Sequence, residues 1–497
     1  LDPVAAYDCI LQKNVVKCDE NVLQKVGSMK KREQYKRMIM FLSSALIVAL
    51  ETAIFAYVWY YHYADEAIIG KTFWKKGNFV VIAQYALMIY LFYRIYGGFK
   101  VGYLRVFEVL YSQILSVLCV NMITYLQLCL IGRWKFTTNI LPLLYMTLID
   151  LIIVILWVVF MRMIYEKIYP PRKMLLVYGT HNPKDLIHKI SSREDKYNIC
   201  EMVHLSLGEE KIKEKIDEYP SVILGDIPAH ERNVFLKYCF EQNIRCYSIP
   251  KISDILLRNA DSIHLFDTTL MLSRNRGLTA EQEFAKRAMD IVFSLIGLII
   301  ALPFMLVIAI LIKAYDGGPV FYKQDRLTKD GRVFQILKFR SMKVQSEKKG
   351  ARLAMKDDDR ITPIGRVLRQ IHFDELPQIF NILKGDMSLV GPRPERPEIA
   401  RQYLEEIPEF NYRLKVKAGL TGYAQVYGKY NTTPYDKLKL DLTYIETYSF
   451  VQDIKLLMLT FKILFQKEST EGVESWQVTA ATKEDMAAEE KKKSKEE

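Results

Sequence analysis

The sequence predicts a membrane protein in three parts: an N-terminal region of four transmembrane helices, an α/β middle module and a C-terminal α-rich domain. Three observations predict this class. Apolar residues make up half of the 497-residue chain and gather into a few long runs. Between residues 172 and 275, short branched-apolar runs alternate with amphipathic stretches, the pattern of strands alternating with helices. Further on, the long apolar segment Ile291–Ile312 carries a proline near its centre.

The formal charge of +12 fits either nucleic acid or an anionic membrane surface as partner. The basic residues flank apolar runs and form no separate basic arm, so we read a lipid bilayer and no nucleic acid. The seven cysteines show neither paired metal spacing nor a disulfide framework and read as reduced packing thiols.

Residues 1–28 read as an extension, because Met29-Lys30-Lys31-Arg32 resembles a natural start ahead of a first membrane segment. The transmembrane region, residues 29–168, holds spans at roughly 38–61, 79–96, 106–131 and 140–161. Glu51, Arg94, Glu108, Asn121 and Asp150 interrupt them. Polar groups are costly against lipid, so these should face the bundle or the interfaces. Trp59, Tyr60, Tyr61, Tyr93, Tyr96 and Trp134 should form interfacial belts. Lys30, Lys31, Arg32, Lys36 and Arg37 precede the first span, and Arg162, Lys167, Arg172 and Lys173 follow the fourth. That bias puts both ends of the region in the cytoplasm.

In residues 172–275 we expect strands at Met174–Tyr178, Val222–Leu224 and Ile244–Ile249, with helices at 207–218 and 230–242. This is the order of a parallel, doubly wound, Rossmann-like sheet. The first strand leads into Gly179-Thr180-His181-Asn182, with one glycine where a dinucleotide fingerprint needs several. The module therefore reads as structural or regulatory. Residues 268–283 read as a polar linker.

Ile291–Ile312 is long enough to cross a bilayer, yet Lys286 and Arg287 precede it and Lys313, Lys323 and Arg326 follow it. Pro303 removes a helical hydrogen bond and clashes with the preceding turn. Cationic flanks at both ends and a central kink predict a re-entrant helix that returns to the same face.

Beyond it lie candidate chemical residues. Lys338 and Arg340 are two apart, on one side of a strand, and can hold a diphosphate. Ile361–Ile371 has a helical apolar face. Pro377 suits a helical first turn, which places Asp374 and Glu375 at a helix N-terminus, where the dipole favours ionised carboxylate. Such a pair can also be a plain cap. In Gly391-Pro392-Arg393-Pro394, flanking prolines stiffen the backbone around one arginine suited to phosphate.

Residues 284–470 resemble the polyprenyl-phosphate sugar-1-phosphate transferases, the monotopic phosphoglycosyl transferases of bacterial polysaccharide assembly. The resemblance rests on motifs in order: the proline-broken apolar helix, GGPVFYKQDR, LKFRSM, DELPQIFNILKGDMSLVGPRPE and GLTGYAQVYG. It implies a catalytic domain in which Asp374 attacks the β-phosphorus of a UDP-sugar and expels UMP. A membrane polyprenyl phosphate, such as undecaprenyl phosphate, then takes the sugar phosphate from Asp374. It further implies Mg²⁺ held by Asp374 and Glu375, with Glu375 assisting through the metal or as a general base, and substrate phosphates bound by Arg369, Arg393, Lys338 and Arg340. Asp441 and Asp453 are further acidic candidates. Where the family often has a hydroxyl residue, a basic residue and a proline, this chain has His372, Gln370 and Ala418. The last should loosen a loop.

Residues 451–465 are amphipathic and suit the membrane surface, and residues 471–497 read as a disordered tail. The resemblance implies a bacterial cytoplasmic membrane location and polysaccharide assembly proteins as partners, and the membrane bundle with its spare α/β module suits a homodimer. Two other readings stand beside it: a sugar-nucleotide dehydratase or epimerase acting through residues 172–275, and a non-catalytic membrane scaffold.

Overall fold

A computed structural model describes residues 35–64, 75–132, 139–179, 183–191, 193–273, 277–343, 360–428 and 432–464. The expected extension 1–28 and tail 471–497 lie outside the described residues. The chain divides into two units at Ile249/Pro250.

In the first unit the apolar runs fold as α1 (Lys36–Val58, continued by a π-helical turn, Trp59–Tyr63), α2 (Lys75–Tyr96), α3 (Val106–Ile131) and α4 (Leu141–Ile168). The 26 residues of α3 rise about 39 Å, more than the ~30 Å of a hydrocarbon core. Phe55, Tyr85, Ile89, Val117, Val120, Met146 and Val154 meet in one core. The outward faces stay apolar, with Phe41, Phe79, Phe107, Met122 and Leu156 exposed. Long helices with apolar faces on both sides need a lipid environment, so this is a membrane protein.

Glu51, Asn121 and Asp150 point inward, as expected. The Tyr93 hydroxyl donates to Glu51, Tyr85 donates to Asn121 Oδ1 at 3.1 Å, and Asn121 Nδ2 donates to Thr147 Oγ1 at 2.9 Å. Three aromatics expected at the interface, Trp59, Tyr93 and Tyr96, are instead buried. Each has a polar partner inside: the Trp59 indole donates to Asn78 Oδ1 at 2.9 Å.

The same unit continues with β1 (Arg172–Tyr178), α5 (Lys184–Ser191), β2 (Tyr197–His204), α6 (Glu209–Asp217), β3 (Ser221–Leu224), α7 (Ala229–Glu241) and β4 (Arg245–Ser248). They form a parallel sheet in the order β2-β1-β3-β4. Strand β1 is central and buries Met174 through Val177. Strand β2, not anticipated, is an edge strand whose polar Asn198, Glu201 and His204 hide its apolar pattern. Cys200 is disulfide-bonded, unlike the reduced thiol expected, because spacing along the chain does not reveal which sulfurs the fold brings together.

The second unit begins earlier than expected. Residues 250–275, assigned from sequence to the α/β module, cluster with it. Helix α8 (Ile252–Leu257) puts Ile252 and Ile255 into the same core as Leu438 and Leu442. β5 (Asp261–Leu265) and β6 (Thr268–Leu272) pair as an antiparallel hairpin, so part of the expected linker is strand. Then α9 (Ala280–Asp316) runs unbroken through Pro303.

The antiparallel ribbon β7 (Phe321–Leu327) and β8 (Val333–Phe339) follows, then α10 (Pro363–Gln370), a 3-10 turn (Phe373–Glu375) and α11 (Gln378–Lys384). After them come β9 (Ser388–Val390), α12 (Pro397–Glu406), β10 (Gly419–Thr421), α13 (Tyr423–Tyr427), α14 (Pro434–Glu446) and α15 (Phe450–Leu464). The core gathers Ile382, Met387, Val390, Phe410, Leu438, Tyr444 and Leu456. On one side of α9, Ala301, Met305, Ile308 and Ile312 pack with Phe339, Leu368 and Ile379. Its other side exposes Ile299, Ile300, Phe304, Val307 and Ile310.

Candidate active site

The acidic pair sits where the chain is turned between two short helices. Helix α10 ends at Gln370, and His372 takes a left-handed conformation (φ 57°) that redirects the backbone into the 3-10 turn. Phe373 anchors this turn edge-on to Phe304 of α9, with centroids 6.2 Å apart. The pair therefore stands in the 3-10 turn that leads helically into α11, at a helix N-terminus as the sequence led us to expect. The Asp374 carboxyl is buried, and burial pushes its pKa up, with Lys338 opposing. Desolvation is the largest influence on its ionisation.

Glu375 behaves in the opposite sense. Its Oε1 accepts from Lys338 Nζ at 2.7 Å and from Arg393 Nη2 at 2.9 Å. Burial would raise its pKa, but Arg393 and Lys338 outweigh that and hold it well below the ordinary carboxylate range. Two adjacent carboxylates are thus driven apart: Glu375 is clamped as an anion, whereas no described group donates a hydrogen bond to Asp374.

Each clamp has its own support. Lys338 is carried by β8, which Asn381 of α11 holds by accepting from Leu337 N at 2.9 Å and donating to Gln335 O at 2.8 Å. Arg287 of α9 donates to the end carbonyls of α11, Ile382 O at 2.6 Å and Leu383 O at 2.7 Å. The Arg393 loop is held by Arg326 Nη1 donating to Pro394 O at 3.1 Å and by Arg413 Nη2 donating to Arg393 O at 2.9 Å. Asn381, Arg287 and Arg413 were missed from sequence. A buried asparagine within apolar α11 was the available signal for the first; the others act through distant carbonyls and left none.

The remaining candidates scatter. Arg369, on the last turn of α10, is half-buried and near enough for its charge to lower the Asp374 pKa. Arg340 lies one residue past β8 and pairs with Asp316 at the end of α9. It does not join Lys338, because the strand periodicity that would align them stops at Phe339. The Asp441 carboxylate lies 2.7 Å from Arg413 Nη2, beneath the Arg393 loop. That of Asp453 accepts from Lys286 Nζ at 2.6 Å and from the Tyr444 hydroxyl at 2.8 Å. Both aspartates are buried counter-charges of the scaffold.

Residues 281–467 match the family model described as bacterial sugar transferase. Over 438 residues the chain is 31% identical to the UDP-N-acetylgalactosamine-undecaprenyl-phosphate N-acetylgalactosaminephosphotransferase of Aeromonas hydrophila, covering 86% of this chain and 94% of that protein. The chain belongs to the bacterial sugar transferases, a family of polyprenyl-phosphate sugar-1-phosphate transferases. It is also 35% identical over 238 residues to the undecaprenyl-phosphate galactose phosphotransferase of Salmonella typhimurium, covering 44% of this chain and 49% of that protein. With the UDP-glucose:undecaprenyl-phosphate glucose-1-phosphate transferase of Xanthomonas campestris it shares 38% over 229 residues, 44% of this chain and 47% of that one.

Within this sugar transferase, the departure at Ala418 has a compensation. Its N–H donates to Thr328 Oγ1 at 3.2 Å, a bond that proline cannot make, so the expected loosening is offset. The neighbouring glycines are demanded by close approach. A Cβ on Gly419 would lie 2.1 Å from Gly391 N, and one on Gly422 would lie 2.1 Å from Gly391 O. Both backbone walls belong to the loop that presents Arg393. Gly419→Ala should therefore lower stability by about 1–3 kcal/mol, visible as a lower Tm. A Tm equal to that of the parent would show that the two loops part without cost.

Lys338 lowers the pKa of both carboxyls. Removing that cation must raise both, so Lys338→Met should move the acid limb of the pH–rate profile to higher pH. An acid limb left in place would remove Lys338 from the electrostatics of the site.

Proposed function

We propose that this chain transfers a sugar 1-phosphate from a UDP-sugar to undecaprenyl phosphate, giving polyprenyl-diphospho-sugar and UMP, as the first step of exopolysaccharide, capsule or O-antigen synthesis. The observation that carries the reading is the divided acidic pair: Glu375 is held by Lys338 and Arg393, leaving Asp374 buried without a hydrogen-bond donor. A carboxylate so placed is poorly solvated and suited to attack on phosphorus. In the first half-reaction an Asp374 oxygen bonds to the β-phosphorus, and the bond to the bridging oxygen breaks, so UMP leaves with that oxygen. In the second, a phosphate oxygen of the acceptor bonds to the same phosphorus and the Asp374 carboxylate departs. The three relatives' names share undecaprenyl phosphate but name different sugars, which leaves the donor as a UDP-sugar.

Arg393 and Arg369 flank the acidic pair as phosphate-binding cations. Among the described residues no three His, Cys, Asp or Glu side chains gather for a metal. Two adjacent carboxylates suit Mg²⁺, which completes its shell with water and substrate oxygens. Held by Asp374 and Glu375, Mg²⁺ would neutralise the diphosphate and the charge on departing UMP.

The membrane arrangement belongs to the same proposal: a four-helix bundle, a Rossmann-like module of structural or regulatory role, and α9 as a re-entrant helix on the cytoplasmic face. Contacts along α9 support the last element. It meets its own unit at Lys286 through Asp453, at Asp290 through Ser388, and at Asp316 through Arg340. Those points span 31 residues, about 45 Å of helix, longer than a hydrocarbon core. A helix bound to one polar domain at both ends does not pass that domain to the other side. A homodimer and polysaccharide assembly proteins complete the proposed partners.

The test is incubation of membranes with radiolabelled UDP-sugars, Mg²⁺ and polyprenyl phosphate. Label should pass to a lipid-extractable diphosphate product with release of UMP. A nucleotide sugar altered in solution, with no labelled lipid from any donor, would overturn the proposal in favour of dehydratase or epimerase chemistry.

A further inference from the structure

We propose that the Gln378 carboxamide is a substrate-contacting hydrogen-bond donor, directed at an oxygen of the phosphoryl group that Asp374 receives; this rests on the transfer reaction proposed above. Gln378 is 2% exposed, and its Nε2 has no hydrogen-bond partner among the described residues. A buried amide is costly unless something bonds to it, and native proteins satisfy nearly all such groups. A donor orphaned one turn from Asp374 is explained if the substrate is its partner.

Its placement supports that partner. The backbone stays helical from the 3-10 turn through Leu376 (φ −53°, ψ −38°) and Pro377 (φ −62°, ψ −14°) into α11. Gln378 is therefore about one turn after Asp374. Helical side chains lean toward the N-terminus, the side on which Asp374 lies. Pro377 has no N–H to offer at this turn.

The neighbouring donors already have protein partners. Lys338 and Arg393 share Glu375 Oε1, and the Asn381 amide is held by the backbone of β8. Gln378 is neutral, so it can bond to a phosphoryl oxygen without forming an ion pair with the nucleophile beside it. That is a useful property for a donor next to a carboxylate that must attack.

The experiment compares the full-length enzyme with Gln378→Met and Gln378→Glu, measuring UMP release, KM for the UDP-sugar, and Tm. Methionine keeps the length and removes the donor, so kcat should fall by about 10²-fold while Tm stays level or rises. Glutamate sets a charge against the phosphate and should be slower still. Wild-type kcat in Gln378→Met would overturn the inference, as would a loss of rate that follows a loss of Tm, since that marks a structural amide. Wild-type enzyme that releases no UMP from any UDP-sugar would instead sink the transfer reaction itself.

Discussion

Asp374→Asn should abolish transfer, lowering the rate by roughly 10³-fold or more, because the variant keeps the shape of the side chain and loses the nucleophile. The clamp on Glu375 does not involve Asp374, so the fold around the pair should survive. Intact-protein mass measurement gives a direct readout. Wild type mixed with its UDP-sugar and no acceptor should gain one sugar phosphate, and the asparagine variant should gain none. Equal turnover by the two proteins would remove Asp374 from the chemistry and leave the acidic pair as a structural turn.

Lys286→Met should be the most destabilising change in the second unit, at about 3–5 kcal/mol. Lys286 and Asp453 are both buried, 2.6 Å apart, and share the Tyr444 hydroxyl. Removing the cation leaves an uncompensated carboxylate inside the protein. Lys286→Met combined with Asp453→Leu should recover most of the loss, because no charge then remains to be buried. Burial already raises the Asp453 pKa and Lys286 opposes it. Without Lys286 the folded-state pKa rises further above the unfolded value of about 3.9, so stability falls as pH climbs between those two values. The penalty should therefore shrink as pH is lowered toward 4. Denaturation in detergent at several pH values checks both statements. A double variant as unstable as the single one would mean that packing, not charge, holds this junction.

Both predictions start from residues visible in the sequence but depend on partners that are not. Asp374 and Glu375 were legible as a pair because they stand side by side before a proline. Their division of labour was not, since it comes from Lys338 on a strand and Arg393 in a loop, each converging on one oxygen of Glu375. Burial opposes the helix-dipole expectation for the same reason. Burial of Asp374 is a property of the packed turn, and it reverses the direction that the local sequence suggested. Arg340 shows the limit of periodicity: two residues from Lys338, it lies beyond the end of the strand and serves Asp316.

The sequence by itself determined the membrane helices, three of the four strands of the parallel sheet, the acidic pair and the family. These are properties of contiguous stretches: apolar length, local alternation and ordered motifs. Only the tertiary structure decided that residues 250–275 belong with the second unit, that Asp441 and Asp453 are counter-charges, and that Gln378 is left without a partner. Those outcomes turn on which distant groups share a buried volume. Within such a volume an unpaired charge or amide costs several times what it does in water, so the partner in space, not the neighbour in the chain, sets what each residue does.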